Sequence, residues 1–226
     1  MFIRTPITRT LTNPFPRHGP GTLTTFTMKT LALSTLLVFT TQISLGQAAA
    51  ELAVYPATSR VLWTATKVTG EHSGEVPVQG GVINIGGGRM VGAQMTLDMS
   101  KLTCIDVENE GSNAKLVNHL KGPDFFDVEN HGTAQFITTS VEPIADAKPG
   151  QLNYKVTGDL TIKGVTAPNT FDCLFYMKDG TAHAAASIVF DRTKYGVNYR
   201  SGSIFTDLAD KAIADDVTVT FDVAGK

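Results

Sequence analysis

The chain has 226 residues, with 19 Lys and Arg against 21 Asp and Glu, so its formal net charge is −2. It contains no basic run or stripe, which excludes a typical nucleic-acid-binding protein, because that affinity comes mostly from neutralising phosphates. The hydrophobic fraction of 42% is ordinary for a globular domain.

The first fifty residues predict two segments ahead of a folded domain. From Met28, a short positive head is followed by the apolar run 31–39 and by a small-residue zone that ends in three alanines. This pattern is typical of a secretory signal peptide over residues 28–50, and the run is too short to span a bilayer. Because a signal peptide normally begins a protein, we predict that residues 1–27 are an over-extended gene prediction; the alternative is an unusually long leader. Residues 51–226 then form one exported domain without a lipid or transmembrane anchor.

The first predicted strands lie on either side of a glycine-rich segment. Residues 55–68 alternate in polarity and include Trp63, which we expect to anchor the core rather than stack on a ligand. Residues 70–74 (Gly-Glu-His-Ser-Gly) predict a turn, and the spacing around His72 and Ser73 is wrong for a catalytic nucleophile elbow. Residues 76–85 and 91–99 predict a hairpin whose methionines offer a soft, adaptable wall.

One helix is expected, at 113–121, where Leu116 and Leu120 lie four residues apart on one face. Gly122-Pro123 ends it. The aromatic pair Phe125 and Phe126 follows, and we expect it to plug one end of the core.

The second half of the chain predicts a long hairpin and further strands. Within residues 152–162 the apolar side chains Leu152, Tyr154, Val156, Leu160 and Ile162 fall on every second position, which predicts a strand. Lys163-Gly164 predicts a turn, and alternation resumes at 171–177. With the strands at 133–141, 181–191 and 217–223, this makes eight strands and one short helix. Because closure removes exposed sheet edges, we predict an all-β protein, an eight-stranded antiparallel β-barrel.

The two cysteines allow two interpretations. In an oxidising compartment Cys104 and Cys173 are permitted to form a disulfide. Alternatively, both are small buried apolar residues. The sequence alone leaves the choice open, because it does not show whether their Cβ atoms meet.

Three segments carry a resemblance to a known family. They are 115–141 (KLVNHLKGPDFFD…HGTAQFITTSV), 154–171 (YKVTGDLTIKGVTAPNTF) and 191–216 (DRTKYGVNYRSGSIFTDLADKAIADD). In this order and spacing they resemble the YceI-like family of exported lipid-binding proteins, over about residues 55–223. The resemblance implies a lipocalin-like barrel that holds a polyisoprenoid, an isoprenoid quinone or a similar long-chain amphiphile, a periplasmic or secreted location, and frequent homodimers. Asn169 departs from the family pattern, in which an apolar residue usually follows the proline.

We therefore expect a binding protein without chemistry and without a cofactor other than the bound lipid. Tyr154 is expected to offer a polar contact to a head group, and Phe125 and Phe126 to border the mouth. The expected lumen lining is Phe136, Tyr154, Val156, Leu160, Phe171, Phe175, Ile188, Val219 and Phe221.

Two other functions stay open at this stage. A lipid-modifying enzyme would need convergent titratable groups, but the histidines lack metal-ligand spacing, so neither a catalytic nor a metal site is predicted. A protein-interaction module would have a solid core and would use a surface such as the long connection 192–216.

Overall fold

The computed structural model describes residues 50–226, so the predicted extension and all of the signal peptide except Ala50 lie outside the described part. One α-helix, α1 (Glu110–Lys121), lies between the fifth and sixth strands. The ten strands are β1 (Ala50–Ala53), β2 (Arg60–Lys67), β3 (Gly70–Glu75), β4 (Val78–Gly86), β5 (Arg89–Asp98), β6 (Thr133–Pro143), β7 (Tyr154–Ile162), β8 (Val165–Lys178), β9 (Thr181–Asp191) and β10 (Ile213–Gly225). Among these residues, the helices are all too short or too polar to serve as a membrane span.

All ten strands form one antiparallel sheet in the order β1-β4-β5-β6-β7-β8-β9-β10-β2-β3. The sheet curls until its two halves meet. Val54 donates its N–H to the carbonyl of Gly81 in β4 at 2.9 Å, while Tyr55 donates to the carbonyl of Ala224 in β10 at 2.8 Å. The predicted all-β, antiparallel, barrel-like fold is confirmed.

The predicted strand number was wrong, because the structure has ten strands and not eight. Residues 70–74, predicted as a turn, belong to strand β3, which pairs with β2 along its whole length. Its outer edge is covered by segment 103–105 through two backbone hydrogen bonds of 2.9 Å. Backbone pairing on both sides makes this polar segment a strand although it lacks apolar alternation.

The helix begins three residues earlier than predicted. Asn109 caps it, because its side chain accepts a hydrogen bond from the Ser112 N–H at 2.9 Å. Its buried residue Leu120 packs in one hydrophobic cluster with Phe125 and with residues of the barrel interior such as Ile162. The helix therefore covers one end of the barrel.

The central hairpin formed by β7 and β8 turns at Lys163-Gly164, as predicted. Both turn residues have positive φ, 50° and 73°, which is the geometry of a tight two-residue hairpin turn. The second arm begins at Val165, six residues before the predicted start at Phe171.

β8 and β9 separate partway along their length. They are paired from the turn at 179–180 only as far as Cys173 and Ala186. Beyond that point Asn169 spans the gap, and its side-chain amide donates to the carbonyl of Val189 at 3.3 Å. Pro168 lies in the same part of β8, where a residue without an N–H has only β7 as a neighbour.

The interior consists of two hydrophobic clusters. One, at the end opposite the helix, contains Val54, Phe175 and Cys173, and the other, beneath α1, contains Leu120 and Cys104. Both cysteines are buried and free. The disulfide that the sequence left open is therefore not formed, and its alternative, two separate buried thiols, describes the structure.

Candidate functional site

A cavity of about 190 Å³ lies inside the barrel, between the two hydrophobic clusters. Strands on opposite sides of the sheet contribute to its wall, from β2 and β5 to β8 and β10. Its volume exceeds that of an engineered apolar cavity of about 150 Å³ that binds benzene, and is below the roughly 300 Å³ at which drug-sized ligand pockets begin.

The wall of the cavity is almost entirely apolar. Among its lining residues only Gln135, Thr138 and Arg192 have polar side chains beyond a thiol or an indole. Two of these groups are already occupied. The Thr138 hydroxyl accepts a hydrogen bond from the Ala93 N–H at 2.8 Å, and Arg192 is held by the chain as described below. The cavity therefore selects for apolar occupants.

Three phenylalanines from three strands meet at the cavity. The ring of Phe171 in β8 lies 5.4 Å from that of Phe136 in β6 and 5.9 Å from that of Phe221 in β10. Gly158 in β7 makes room for Phe136, because a Cβ at this position would overlap the Phe136 ring. The glycine lies in the inward row between Val156 and Leu160, which explains why a residue without a side chain interrupts the apolar alternation.

Seven of the nine residues predicted to line the lumen surround the cavity, and both aromatics predicted at the mouth do so as well. Phe125 is buried against His119 and Tyr199, with ring centroids 4.9 and 5.2 Å apart. The nine predicted residues that line the cavity are Phe136, Val156, Leu160, Phe171, Ile188, Val219, Phe221, Phe125 and Phe126.

The structure places two of the predicted residues outside the cavity wall. Phe175 and Tyr154 are absent from the cavity wall, and their rings contact each other edge to face, 5.8 Å apart, in the cluster opposite the helix. Phe175 has the same inward orientation as Phe171 but lies four residues further along β8, which is about 13 Å. It is packed into the solid end of the barrel.

Other residues that the sequence analysis had not assigned to the lumen lining also contribute to the wall. Trp63, predicted as a core anchor, lines the cavity while its indole N–H donates to the Thr103 carbonyl at 3.1 Å. Met90, Met95 and Met99 also line it. The soft wall expected from the methionines of this hairpin is thus part of the cavity.

Arg192 is the one charged residue at the cavity wall, and its donors face the protein. It is 3% exposed and donates to the carbonyls of Val197, Ile213 and Ala214 at 2.7–3.1 Å. The Asp215 carboxylate lies 3.4 Å away and balances its charge. Arg192 therefore fastens the connection after β9 to β10, and few of its donors remain for a ligand.

Cys173 also lines the cavity, but not as a reactive group. Burial raises the pKa of its thiol to about 11, so the thiol stays protonated at neutral pH. It behaves as a small apolar part of the wall.

The histidines considered for catalysis lie outside the wall. His72 lies 2.8 Å from Asp106, and His119 lies 3.1 Å from Asp124. His183 stacks on Tyr176 with ring centroids 4.8 Å apart. No histidine, aspartate or glutamate of residues 50–226 lines the cavity.

Solved structures share this architecture. BcnA of Burkholderia cenocepacia is similar over 76% of this chain and 99% of that one, with a TM-score of 0.58 and 21% identity. A polyisoprenoid binding domain from Saccharophagus degradans is similar over 79% of this chain and 98% of that one, with a TM-score of 0.55 and 9% identity. At these identities the likeness shows the fold.

Curated relatives match part of the chain. A UPF0312 protein of Staphylococcus aureus (strain USA300) is 34% identical over 102 residues, which cover 42% of this chain and 52% of that protein. The chain thus spans about half the length of this relative. A UPF0312 protein of Pseudomonas putida is 39% identical over 64 residues, 28% of this chain and 31% of that protein. The YceI-like domain model matches residues 52–224, nearly all of the described barrel, and the chain belongs to the YceI-like family.

Proposed function

We propose that the protein binds one long-chain apolar or amphiphilic lipid in the barrel cavity and holds it without chemical change. The observation that carries this proposal is the apolar cavity of about 190 Å³ between two packed clusters. A well-packed core leaves few voids larger than a water molecule, so a void of this size in a barrel interior calls for an occupant.

The chemistry of the wall supports an apolar chain as the occupant. Each Å² of apolar surface that leaves water contributes about 25 cal/mol, and part of this gain is lost in ordering the chain. The name of the Saccharophagus domain indicates a polyisoprenoid, and we extend that ligand class, with isoprenoid quinones and fatty-acid derivatives, to this protein.

The ligand extends beyond the present volume of the cavity. A chain of several isoprene units requires more than 190 Å³, so side chains of the wall must move when it enters. Met90, Met95 and Met99 are suited to this, because unbranched methionine side chains repack easily. The same movement of side chains makes room for chains of different length.

An enzyme is the weaker candidate. Conversion of a lipid needs a group that transfers protons or attacks as a nucleophile, and the lining residues of the described chain include no histidine or carboxylate. We further propose that the domain works in the periplasm or outside the cell, on the basis of the signal-peptide pattern at 28–50.

The only tryptophan of the chain makes the proposal directly testable. Trp63 lines the cavity, so a chain that enters should change its fluorescence. Titration with polyisoprenoid alcohols of increasing length should give a saturable change in Trp63 fluorescence at one ligand per protein. Affinity should rise with chain length until the cavity can expand no further. A polar alcohol of similar size serves as the control. If no member of the series gives a saturable change, the proposal is wrong.

A further inference from the structure

A cluster of polar side chains lies where β3 meets the segment between β5 and α1. His72 Nδ1 lies 2.8 Å from Asp106 Oδ2, and the Cys104 thiol donates to Asp106 Oδ1 at 3.2 Å. The nitrogen, sulfur and oxygen atoms all lie within 4.8 Å of one another. Imidazole, thiolate and carboxylate are the side-chain ligands that Zn²⁺ uses in proteins.

The backbone around the cluster is held from two sides. Two backbone hydrogen bonds of 2.9 Å join segment 103–105 to β3. The side chain of Asn113 in α1 donates to the carbonyl of Cys104 at 2.9 Å. The Ser73 N–H donates to the Asp106 carboxylate at 2.8 Å, which is the kind of supporting contact that orients a metal ligand. The three side chains are therefore placed before any ion binds.

The spacing of the ligand atoms suits one small cation. Two ligand atoms of a tetrahedral Zn²⁺ lie roughly 3.3–3.8 Å apart at the usual bond lengths. The two hydrogen-bonded distances of 2.8 and 3.2 Å are shorter than this, and all the ligand atoms lie within 4.8 Å of one another, so side-chain rotations must adjust the spacing as an ion enters. The side chains of His72 and Asp106 are 29% and 30% exposed, which gives the ion access from solvent.

A nucleophilic role for Cys104 fits the geometry less well. Its thiol donates to the carboxylate of Asp106, whereas the imidazole of His72 faces the other carboxylate oxygen. A cysteine nucleophile needs its thiol beside a base such as imidazole. In this arrangement the carboxylate separates the two groups.

We propose that His72, Cys104 and Asp106 bind one divalent transition-metal ion of the Zn²⁺ class. On binding, the Cys104 thiol releases its proton to solvent and the sulfur bonds to the metal, while a water molecule takes the fourth position. The ion joins β3 to the segment that leads into α1, so it stabilises the end of the barrel that the helix covers. This site is independent of the cavity.

Cobalt(II) tests the site, because its spectrum reports the ligands. The protein is kept reduced and titrated with Co²⁺ alone, and we expect an equimolar end point, a near-ultraviolet thiolate-to-cobalt charge-transfer band, and loss of that band when Zn²⁺ is added. With Zn²⁺ at a hundredfold excess over its Kd, the Tm should rise by about 5–11 °C.

Variants identify the ligands. Cys104→Ser should abolish the charge-transfer band, and His72→Gln and Asp106→Asn should each weaken Co²⁺ binding at least tenfold. His183→Gln removes an imidazole in β9, which β10 and β2 separate from β3 in the sheet, so it is the matched control and should bind as the unmodified protein does. Circular dichroism verifies that each variant is folded. A missing charge-transfer band in the unmodified protein, or a band that persists in Cys104→Ser, overturns the proposal.

Discussion

Replacing Ala184 by leucine should stabilise the ligand-free protein and weaken lipid binding. Ala184 lies in the inward row of β9, between Phe175 in β8 and Val223 in β10, and it lines the cavity. The larger side chain of leucine enters space that is free in the ligand-free barrel and that the lipid would otherwise fill.

The magnitude follows from the three added carbon atoms. At about 0.8 kcal/mol for each buried CH₂ group, the substitution gains about 2 kcal/mol if the cavity accepts the side chain without strain. For a domain of this size, that corresponds to a Tm higher by about 4–8 °C. A lipid that loses the same amount of burial binds roughly 30-fold more weakly.

Ala182→Leu is the matched control, two residues away in the same row. Ala182 is fully buried at 0% exposure and does not line the cavity, so leucine has no space there and should destabilise the fold by about 1–3 kcal/mol. Thermal unfolding and Trp63 fluorescence titration of both variants provide the comparison. Equal destabilisation by the two substitutions, or unchanged lipid affinity in Ala184→Leu, would refute the reasoning.

Three further predictions concern packing, pH and thiol reactivity. Gly158→Ala should lower the free energy of unfolding by about 1–3 kcal/mol, because the new Cβ would overlap the Phe136 ring; urea denaturation measures this. Partial burial acts to raise the pKa of Asp215, but hydrogen bonds from neighbouring serines and the Arg192 charge together lower it. A carboxylate whose pKa is lower in the folded state stabilises the fold fully above its unfolded-state pKa of about 3.9, and this contribution is lost as the pH falls through the folded-state pKa. Asp215→Asn should therefore lose less stability than the unmodified protein does below about pH 5. In a Cys104→Ser background, Cys173, whose pKa burial raises to about 11, should react with Ellman's reagent at pH 8 only after unfolding.

Each of these predictions has its own control and contrary result. Gly80→Ala, at a glycine of β4 with open space around it, should be close to neutral, and an equal loss at both glycines would contradict the steric argument. If the stability of Asp215→Asn falls below about pH 5 as steeply as that of the unmodified protein, this carboxylate does not contribute to the acid sensitivity. Rapid labelling of native Cys173 would show that the wall opens to solvent.

The sequence could predict the architecture because most strands bury one face. Apolar residues on alternate positions of 152–162 indicated β7, and Lys163-Gly164 indicated its turn. β3 escaped because its residues Gly70–Glu75 show no apolar alternation, and backbone pairing with two neighbours makes it a strand. The start of α1 was missed because Gly111 and Ser112 are weak helix formers, and the cap at Asn109 outweighs them.

The sequence predicted which side chains point into the barrel, but not how far along the barrel the cavity extends. Alternation assigns Phe171 and Phe175 to the same inward row, and only the packing of the other strands shows that the cavity ends between them. The proposed metal ligands lay beyond sequence reasoning. The prediction of no metal site relied on ligand motifs within a short stretch of sequence. His72 and Cys104 are 32 positions apart and come together only because segment 103–105 pairs with β3.

Native mass spectrometry of the protein purified from its own host tests the central claim most directly. We predict a species heavier than the polypeptide by the mass of one long-chain lipid, and organic extraction should release that lipid. A smaller fraction of the Ala184→Leu variant should carry it. A ligand-free mass alone, both from the host and after incubation with the polyisoprenoid alcohols, would contradict the account.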